Sequence, residues 1–278
     1  MGGGVQHLQA LSCVFGALVC LAVLTPLMAM PPAWAGAWTQ QAGKGLLISS
    51  ASHHRFDLPD AGYGYSKFET ALYLEYGLTE RMTLLGRLAR ETRFHQAPSS
   101  TGKSGSRAVL SVQTVSAALG DSEIGLRLRL ASGANWTVSA QTALVRFSAE
   151  PNPLLNAEAR WGADMRLQAG RSLGQAVFVD AQLGRRSDWR GDRHETRLDL
   201  TLGVRPRDRW LIMAQTYSAW GEAGWSAYRR PYESHRLHLS VTAPVSERLS
   251  LQIGATNSAY SDSLAPESAY MVSLWREF

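Results

Sequence analysis

The feature that most constrains the fold of this chain is a two-residue alternation of apolar and polar side chains. In Glu123–Leu130, which reads EIGLRLRL, four aliphatic side chains alternate with glutamate, glycine and two arginines. Residues two apart lie on the same face of a β-strand, whereas a helix would scatter them around its circumference. An apolar face opposite a charged face is what a strand needs when it separates lipid from water.

The same alternation recurs along the chain and predicts twelve strands. The predicted strands cover about 44–54, 65–77, 81–93, 120–131, 135–147, 158–170, 174–186, 193–204, 209–220, 233–243, 247–259 and 268–278. Tight turns alternate with longer polar links, and the longest of these links is 94–119. Short turns at one end and long loops at the other are typical of outer-membrane barrels. An even strand number leaves no open edge and puts both chain ends on the same side.

We therefore predict an all-β fold, a transmembrane antiparallel up-and-down β-barrel of about twelve strands. The mean hydropathy of −0.15 excludes a bundle of membrane helices. The soluble alternatives are a β-sandwich and a lipocalin-like barrel, which would turn their apolar residues inward. Aromatic residues near the predicted strand ends favour the membrane barrel, because their rings suit the two membrane interfaces. They are Trp136, Trp189, Trp210, Trp220, Trp225, Tyr228 and Trp275.

The first 35 residues have the pattern of a secretory signal peptide. An apolar run over Leu11–Met30 is followed by Ala33-Trp34-Ala35, the small-x-small form that signal peptidase reads. We predict cleavage after Ala35, which leaves residues 36–278 as the barrel. The alternative is a single membrane-anchoring helix at Leu11–Met30, which is long enough to span. Both cysteines, Cys13 and Cys20, lie in this segment, so the predicted mature chain has none.

The last residues have the pattern of a signal read by the outer-membrane assembly machinery. The chain ends in Phe278, and Tyr270, Val272 and Leu274 share its predicted face. Arg276 interrupts this apolar stripe. The expected partners are therefore the barrel assembly machinery, outer-membrane lipid and lipopolysaccharide, and the expected location is the outer membrane of a Gram-negative bacterium.

Several runs resemble a family of proteobacterial outer-membrane proteins, the phenol meta-pathway (MetA-type) transport-like barrels. The runs are Gly36–Gln40, Gly43–Gly45, Tyr65–Glu69, Leu74–Leu84 and Gly120–Leu130. The resemblance covers most of the mature chain, but its motifs describe barrel architecture rather than chemistry. It implies an outer-membrane location and solute passage, and it supplies no catalytic residues.

If the apolar faces meet lipid, the opposite faces line the lumen and carry its chemistry. The predicted basic lumen residues are Arg127, Arg129, Arg166, Arg197 and Arg236. The predicted acidic partners are Glu69, Glu75, Glu123, Asp164 and Asp199. In one interpretation the arginines form a channel for small polar or anionic solutes, since their planar forks suit carboxylate and phosphate. In the other the charges pair across strands and close the lumen, which leaves a structural barrel.

Other functions have weaker support in the sequence. His238-Leu239-Ser240 has the His-x-Ser spacing of outer-membrane lipid hydrolases, but lacks the Asn-Gly that usually follows. His53-His54 is a weak metal motif, because adjacent strand residues face opposite ways. Arg185 and Arg186, at a predicted external loop, could contact lipopolysaccharide phosphates or be solvated. We expect no cofactor, and the interspersed acids argue against nucleic-acid binding.

Overall fold

The computed structural model of the protein describes residues 36–58, 63–97, 111–148, 159–191, 193–222 and 231–278. The predicted signal peptide, residues 1–35, lies outside the described residues. The strands are β1 (Gly45–Leu58), β2 (Tyr63–Thr79), β3 (Met82–Ala97), β4 (Ser111–Leu119), β5 (Ser122–Ser132), β6 (Trp136–Phe147), β7 (Arg160–Leu173), β8 (Val177–Asp188), β9 (His194–Val204), β10 (Leu211–Gly221), β11 (Tyr232–Ser246), β12 (Leu249–Asp262) and β13 (Glu267–Glu277). No helix in the described part of the chain is long and apolar enough to cross a membrane.

The strands form one closed antiparallel barrel. Strands adjacent in sequence pair around the wall, except that β4 pairs with β3 alone among the described residues, and β1 pairs with both β2 and β13, which closes the barrel. The seam between β1 and β13 is completed by Gly45 and Phe278, whose backbone amides each donate to the other's carbonyl at 2.8 and 3.0 Å. The tight turns lie at one end of the barrel, which we call the turn-side end. The start of β1 and the end of β13 lie at the same end. The longer connections lie at the opposite, loop-side end.

The thirteen strands occupy twelve positions around the barrel, because β4 and β5 share one. Both pair with β3, β4 with its loop-side part from Arg90 and β5 with its turn-side part up to Arg87. Between these pairings, the three residues 120–122 face the two residues 88–89, which is a β-bulge. The Gly120 amide donates to the Ala89 carbonyl at 2.8 Å and keeps the two strands joined across the bulge. The prediction of about twelve strands is therefore confirmed.

The prediction that 94–119 is one long loop is wrong at both ends. Strand β3 continues to Ala97, and Ser111–Leu119 forms β4. The β4 sequence SVQTVSAAL carries no charge and only weak apolar contrast, so alternation could not reveal it. Its pairing with β3 supplies the missing stabilisation. Residues 98–110 lie outside the described residues.

The barrel wall separates two kinds of surface, as the alternation predicts. On β5, Ile124, Leu128 and Leu130 are 57%, 47% and 54% exposed on the outer face, whereas Arg127 between them is 3% exposed. The outer face of β13 carries Tyr270, at 72% exposure, with further apolar residues along the strand. A protein that exposes this much apolar wall needs an apolar solvent around it. The soluble alternatives, which would bury these residues, are excluded by this arrangement.

Trp275 is an exception among the predicted interface aromatics. It points into the lumen, where its indole N–H donates to Gln252 Oε1 at 3.0 Å and its ring packs against a buried apolar cluster. Trp136, Trp189, Trp210 and Trp220 are exposed. Trp225 and Tyr228 lie outside the described residues. The alternation of faces along β13 explains this inward position. Leu274 and Arg276 are on the outer face, so Trp275 between them faces the lumen.

Candidate functional site

The lumen is divided into an open half and a filled half. The loop-side half contains a cavity of about 710 Å³, which we call the vestibule. Among the described residues, eight Lys or Arg and seven Asp or Glu line it. The turn-side half is occupied by residues 36–44, which run across the lumen before β1 begins and which we call the plug segment. The inward-facing side chains explain the difference between the two halves. Near the loop-side end these side chains are charged, whereas near the turn-side end they are small, apolar or carry amides.

Arg186 lies at the centre of the vestibule's charge network. Its Nε lies 2.9 Å from Asp164 Oδ2, its Nη1 lies 3.2 Å from Asp121 Oδ2 and its Nη2 lies 3.1 Å from Glu123 Oε2. The bulge that separates β4 from β5 carries Asp121, whose carboxylate also accepts the Ser148 amide at 2.8 Å. One guanidinium thus joins β5, β7 and β8. Its planar fork allows this three-way contact, which the point charge of a lysine would not reproduce.

A second arginine extends the same network. Arg166 binds both carboxylate oxygens of Asp164, at 2.8 Å from Nε and 3.0 Å from Nη2, and its Nη1 reaches Asp199 Oδ2 at 3.3 Å. The bidentate geometry with Asp164 is the strong form of this contact. Asp164 is therefore shared by two arginines, which explains how a carboxylate that is 1% exposed remains compensated.

The remaining charges of the vestibule pair in smaller groups around the wall. On β2 and β3, Lys67 lies 3.0 Å from Glu69, Arg87 also contacts Glu69, and Arg93 contacts Glu91. On the opposite wall the ion pairs are Arg197 with Glu195 and Arg236 with Glu267, the latter at 2.8 Å. These pairs leave the surface rich in charge, but nearly balanced between the two signs.

The plug segment is held by polar contacts from several strands. The Arg127 guanidinium donates to the Trp38 carbonyl at 2.9 Å and lies 3.1 Å from Glu75 Oε1. The Gln40 side chain donates to the other oxygen of Glu75 at 2.7 Å, and the Gln40 amide donates to Thr83 at 2.8 Å. Because these groups are buried, the contacts satisfy side chains that would otherwise be left unpaired.

An apolar contact completes the filling of the turn-side half. The Trp38 ring packs edge to face on Phe178, with ring centroids 6.1 Å apart. Phe178 forms a buried cluster with Leu211 and Met213, and Trp275 packs against it. The plug segment therefore brings one large side chain of its own into the apolar patch of the inner wall.

The predicted lumen residues fall into these two halves. Arg166, Arg197 and Arg236 line the vestibule with Glu69, Glu123 and Asp199, and Asp164 lies at its floor. Arg127 and Glu75 belong instead to the plug contacts. Arg129 shares the inward face of Arg127, two residues nearer the turn-side end and opposite the buried Ser139. The sequence did not single out Arg186, Asp121 or the plug segment as parts of the site.

The His-x-Ser spacing does not form a catalytic pair in this structure. His238 and Ser240 both point inward and are 5% and 4% exposed. His238 Nδ1 lies 2.8 Å from the Thr256 hydroxyl, and Ser240 accepts the Gln252 amide at 3.0 Å. No hydrogen bond joins the histidine to the serine, although a nucleophile and its base must be within such reach. Among the described residues, no group of three or more His, Cys, Asp or Glu could hold a metal ion.

The pair Arg185-Arg186 divides between the two faces of β8. Arg186 points into the lumen on the same face of β8 as Asp180, so it does not reach outward toward lipopolysaccharide. Arg185 points outward near the loop-side rim and forms a two-pronged contact with Glu222, at 2.6 and 2.8 Å. These hydrogen bonds hold the pKa of Glu222 below its ordinary value. Strand parity explains the division, because adjacent strand residues face opposite ways.

The predicted assembly signal lies on the outside of the last strand. Val272, Leu274 and Phe278 are 51%, 42% and 45% exposed, on the same face as Tyr270. The Phe278 ring stacks on Tyr76 with centroids 6.4 Å apart. It also covers Gly45, where a Cβ atom would lie 2.3 Å from the ring. The terminal residue thus packs across the seam where the barrel closes.

Comparison with solved structures finds this barrel in other proteins. An outer membrane channel from Pseudomonas putida F1 aligns with a TM-score of 0.68 at 14% identity, over 89% of this chain and all of that chain. The β domain of the Bordetella autotransporter Brka has a TM-score of 0.51 at 14% identity, over 86% of this chain and 100% of that one. The NanC porin has a TM-score of 0.50 at 10% identity, over 82% and 98%. No protein-family model and no curated protein sequence matches the chain. The fold is that of outer-membrane β-barrels.

Proposed function

We propose that the protein is an outer-membrane channel for passive passage of small polar solutes in a Gram-negative bacterium. The observation that carries the proposal is the vestibule, a cavity of about 710 Å³ within the barrel whose wall bears both signs of charge. Charged side chains within the span of a membrane are typical of solute pathways, because placing a charge in a membrane without water or a polar partner is energetically unfavourable. The proposal includes cleavage after Ala35, which would deliver residues 36–278 to the outer membrane.

The solute that fits this surface is small and polar. Anions can bind its basic side chains, cations its acidic side chains, and zwitterions both. Eight basic and seven acidic side chains among the described residues give the vestibule little net charge. We propose Arg166, Arg197 and Arg236 as the basic groups that a passing solute meets. Arg127 has a different proposed role, since its guanidinium already holds Trp38 and Glu75.

We further propose that the chain belongs with the phenol meta-pathway (MetA-type) transport-like barrels, on the sequence runs that resemble them. The structural likeness to an outer membrane channel from Pseudomonas putida F1 supports an outer-membrane channel in general terms. Lipopolysaccharide and the barrel assembly machinery are the partners that such a location would supply. The proposal assigns no catalytic residue.

The second candidate is a structural barrel with a closed lumen. The plug segment favours it, because Trp38 and the side chains around it fill the turn-side half. The ion pairs of the vestibule also favour it, since each pair already satisfies the charges that a solute would use. The two candidates differ in a single measurable property, which is whether ions cross the folded barrel.

Conductance of the refolded protein in planar bilayers tests the proposal. We expect discrete current steps smaller than those of a general porin, because the plug segment narrows the turn-side half. In a tenfold salt gradient the reversal potential should stay far below the ~59 mV of a perfectly selective pore. A folded protein that carries no current would favour the structural barrel. A strongly selective current would contradict the balanced vestibule.

Deletion of Phe278 tests the proposed assembly signal. We expect the amount of heat-modifiable barrel in the outer membrane to fall severalfold, because the exposed terminal ring is what the assembly machinery would bind. Refolding of the same variant in detergent is the control, since it needs no machinery and reports what is lost with the Tyr76 contact and the two backbone hydrogen bonds to Gly45. Equal outer-membrane amounts with and without Phe278 would contradict the assignment.

A further inference from the structure

Asp180 differs from the other carboxylates of the lumen. It lies on β8 in the turn-side half and is 3% exposed. It accepts hydrogen bonds from the Ala37 amide at 2.8 Å and from the Gln182 side chain at 2.9 Å. The acidic groups of the vestibule pair with Arg, Lys or His, but Asp180 has no ion pair among the described residues. A buried carboxylate without a cation is unfavourable, because burial removes the water that stabilises its charge.

Gly36 lies directly against this carboxylate. A Cβ atom on Gly36 would lie 2.3 Å from Asp180 Oδ1 and 2.2 Å from Gln182 Nε2, so a larger residue would clash there. Bond lengths then place the Gly36 backbone nitrogen within about 5 Å of Asp180 Oδ1. The φ angle of Gly36 is +43°, in the region that glycine adopts most easily. The backbone conformation and the close contact both favour glycine at this position.

We propose that Asp180 is the binding site for the α-ammonium group of the mature chain. The inference rests on the predicted cleavage between Ala35 and Gly36, which replaces the peptide bond before Gly36 with a free amine. An α-amine has an ordinary pKa of about 7.7–8.0 and is mostly charged at neutral pH. Opposite charges within about 4–6 Å stabilise each other. The ammonium thus supplies an ion-pair partner for Asp180, and it anchors the free end of the plug segment.

The arrangement also gives a physical reason for the processing position. Before cleavage, Gly36 carries a neutral amide and Asp180 has no ion-pair partner in the described part of the chain. Cleavage at an earlier bond would displace the ammonium group from the carboxylate by at least one residue, about 3.3–3.6 Å of chain. Cleavage one bond later would remove Gly36 and make the Ala37 nitrogen, 2.8 Å from Asp180 Oδ2, the ammonium itself. A chain that begins at Gly36 places its charge beside Asp180 while the Ala37 amide keeps its separate hydrogen bond to the same carboxylate.

Amine acetylation of the protein purified from outer membranes tests the proposal. Intact mass gives the first residue, which we expect to be Gly36. An amine paired with a carboxylate is protonated and acetylates slowly at neutral pH. We therefore expect the α-amine of the native protein to react about tenfold or more slowly than that of Asp180→Asn. Asp208→Asn is the matched control, because this residue is exposed in a turn, and it should react as the native protein does.

A second comparison covers the case in which Asp180→Asn does not fold. Protein refolded with one additional glycine before Gly36 keeps Asp180 but displaces the amine, and its α-amine should react as fast as an unpaired one. A mature chain that begins elsewhere, or equal acetylation rates in the native and extended proteins, would overturn the proposal. Neither readout depends on conductance, so this result and the channel test can fail separately.

Discussion

Deletion of residues 36–41 is expected to raise the single-channel conductance severalfold. These residues cross the turn-side half of the lumen, and their contacts with Arg127, Glu75 and Asp180 hold them there. The strands that form the barrel begin only at Gly45, so the wall itself keeps all its pairings after the deletion. Removal of Trp38 also frees the space beside Phe178. The vestibule then continues to the turn-side end as one water-filled path.

Two comparisons make the deletion decisive. Lys44→Gln changes the exposed end of the plug segment without touching the lumen, so its conductance should match that of the native protein. Trp38→Ala removes the largest side chain of the segment and keeps its backbone, so its conductance should fall between the two. If the deletion variant folds and conducts as the native protein does, the plug segment is not the constriction.

Arg186→Gln is expected to have the largest effect on both stability and selectivity. The substitution leaves Asp121, Glu123 and Asp164 without their shared cation. Breaking a buried ion pair by removal of one partner costs about 3–5 kcal/mol in the free energy of unfolding. The vestibule also loses one positive charge at its centre, so the reversal potential should shift in the direction of cation preference. Urea unfolding in detergent micelles and reversal potentials in a salt gradient measure the two effects.

Arg185→Gln is the matched control for this prediction. It changes the adjacent residue of the same strand, but that side chain points outward and pairs with Glu222 in an exposed position. Exposed ion pairs contribute little to stability because water and salt screen them, and the charge lies outside the lumen. The control should therefore unfold near the native urea concentration and keep the native reversal potential. Equal effects of the two substitutions would show that the three-way contact of Arg186 is not formed.

The barrel could be predicted because its signal is local. Each strand such as β5 carries its own alternation, which reveals the strand and decides which residues face inward. Closure followed from the even strand number, since a free edge is not tolerated in lipid. The failure at β4 has the same origin, because that strand depends on pairing with β3 rather than on contrast within its own sequence. Trp275 shows that an aromatic near a strand end still obeys the parity of its strand.

The site could not be predicted to the same extent. The alternation along a strand shows which face of the wall a side chain is on, but not its position along the barrel axis. Whether Arg127 meets solute or holds the plug segment depends on how far along the barrel axis it lies and on what lies opposite. Arg186 gains its three partners from other strands, and the stagger between strands decides those distances. The plug segment has no periodicity to detect. Its only sequence signals were glycines and a tryptophan next to a predicted cleavage site.

The bulge at Gly120 and Asp121 has a mechanical consequence for the entrance of the barrel. It ties the wall to the start of the connection after β6 through the Ser148 amide, and to β8 through Arg186. These contacts between strands oppose deformation of the circular rim into an oval. Salt screens partly buried ion pairs much less than exposed ones. The entrance should therefore keep the same diameter at low and at high salt concentration. The largest solute that can enter should then not depend on ionic strength.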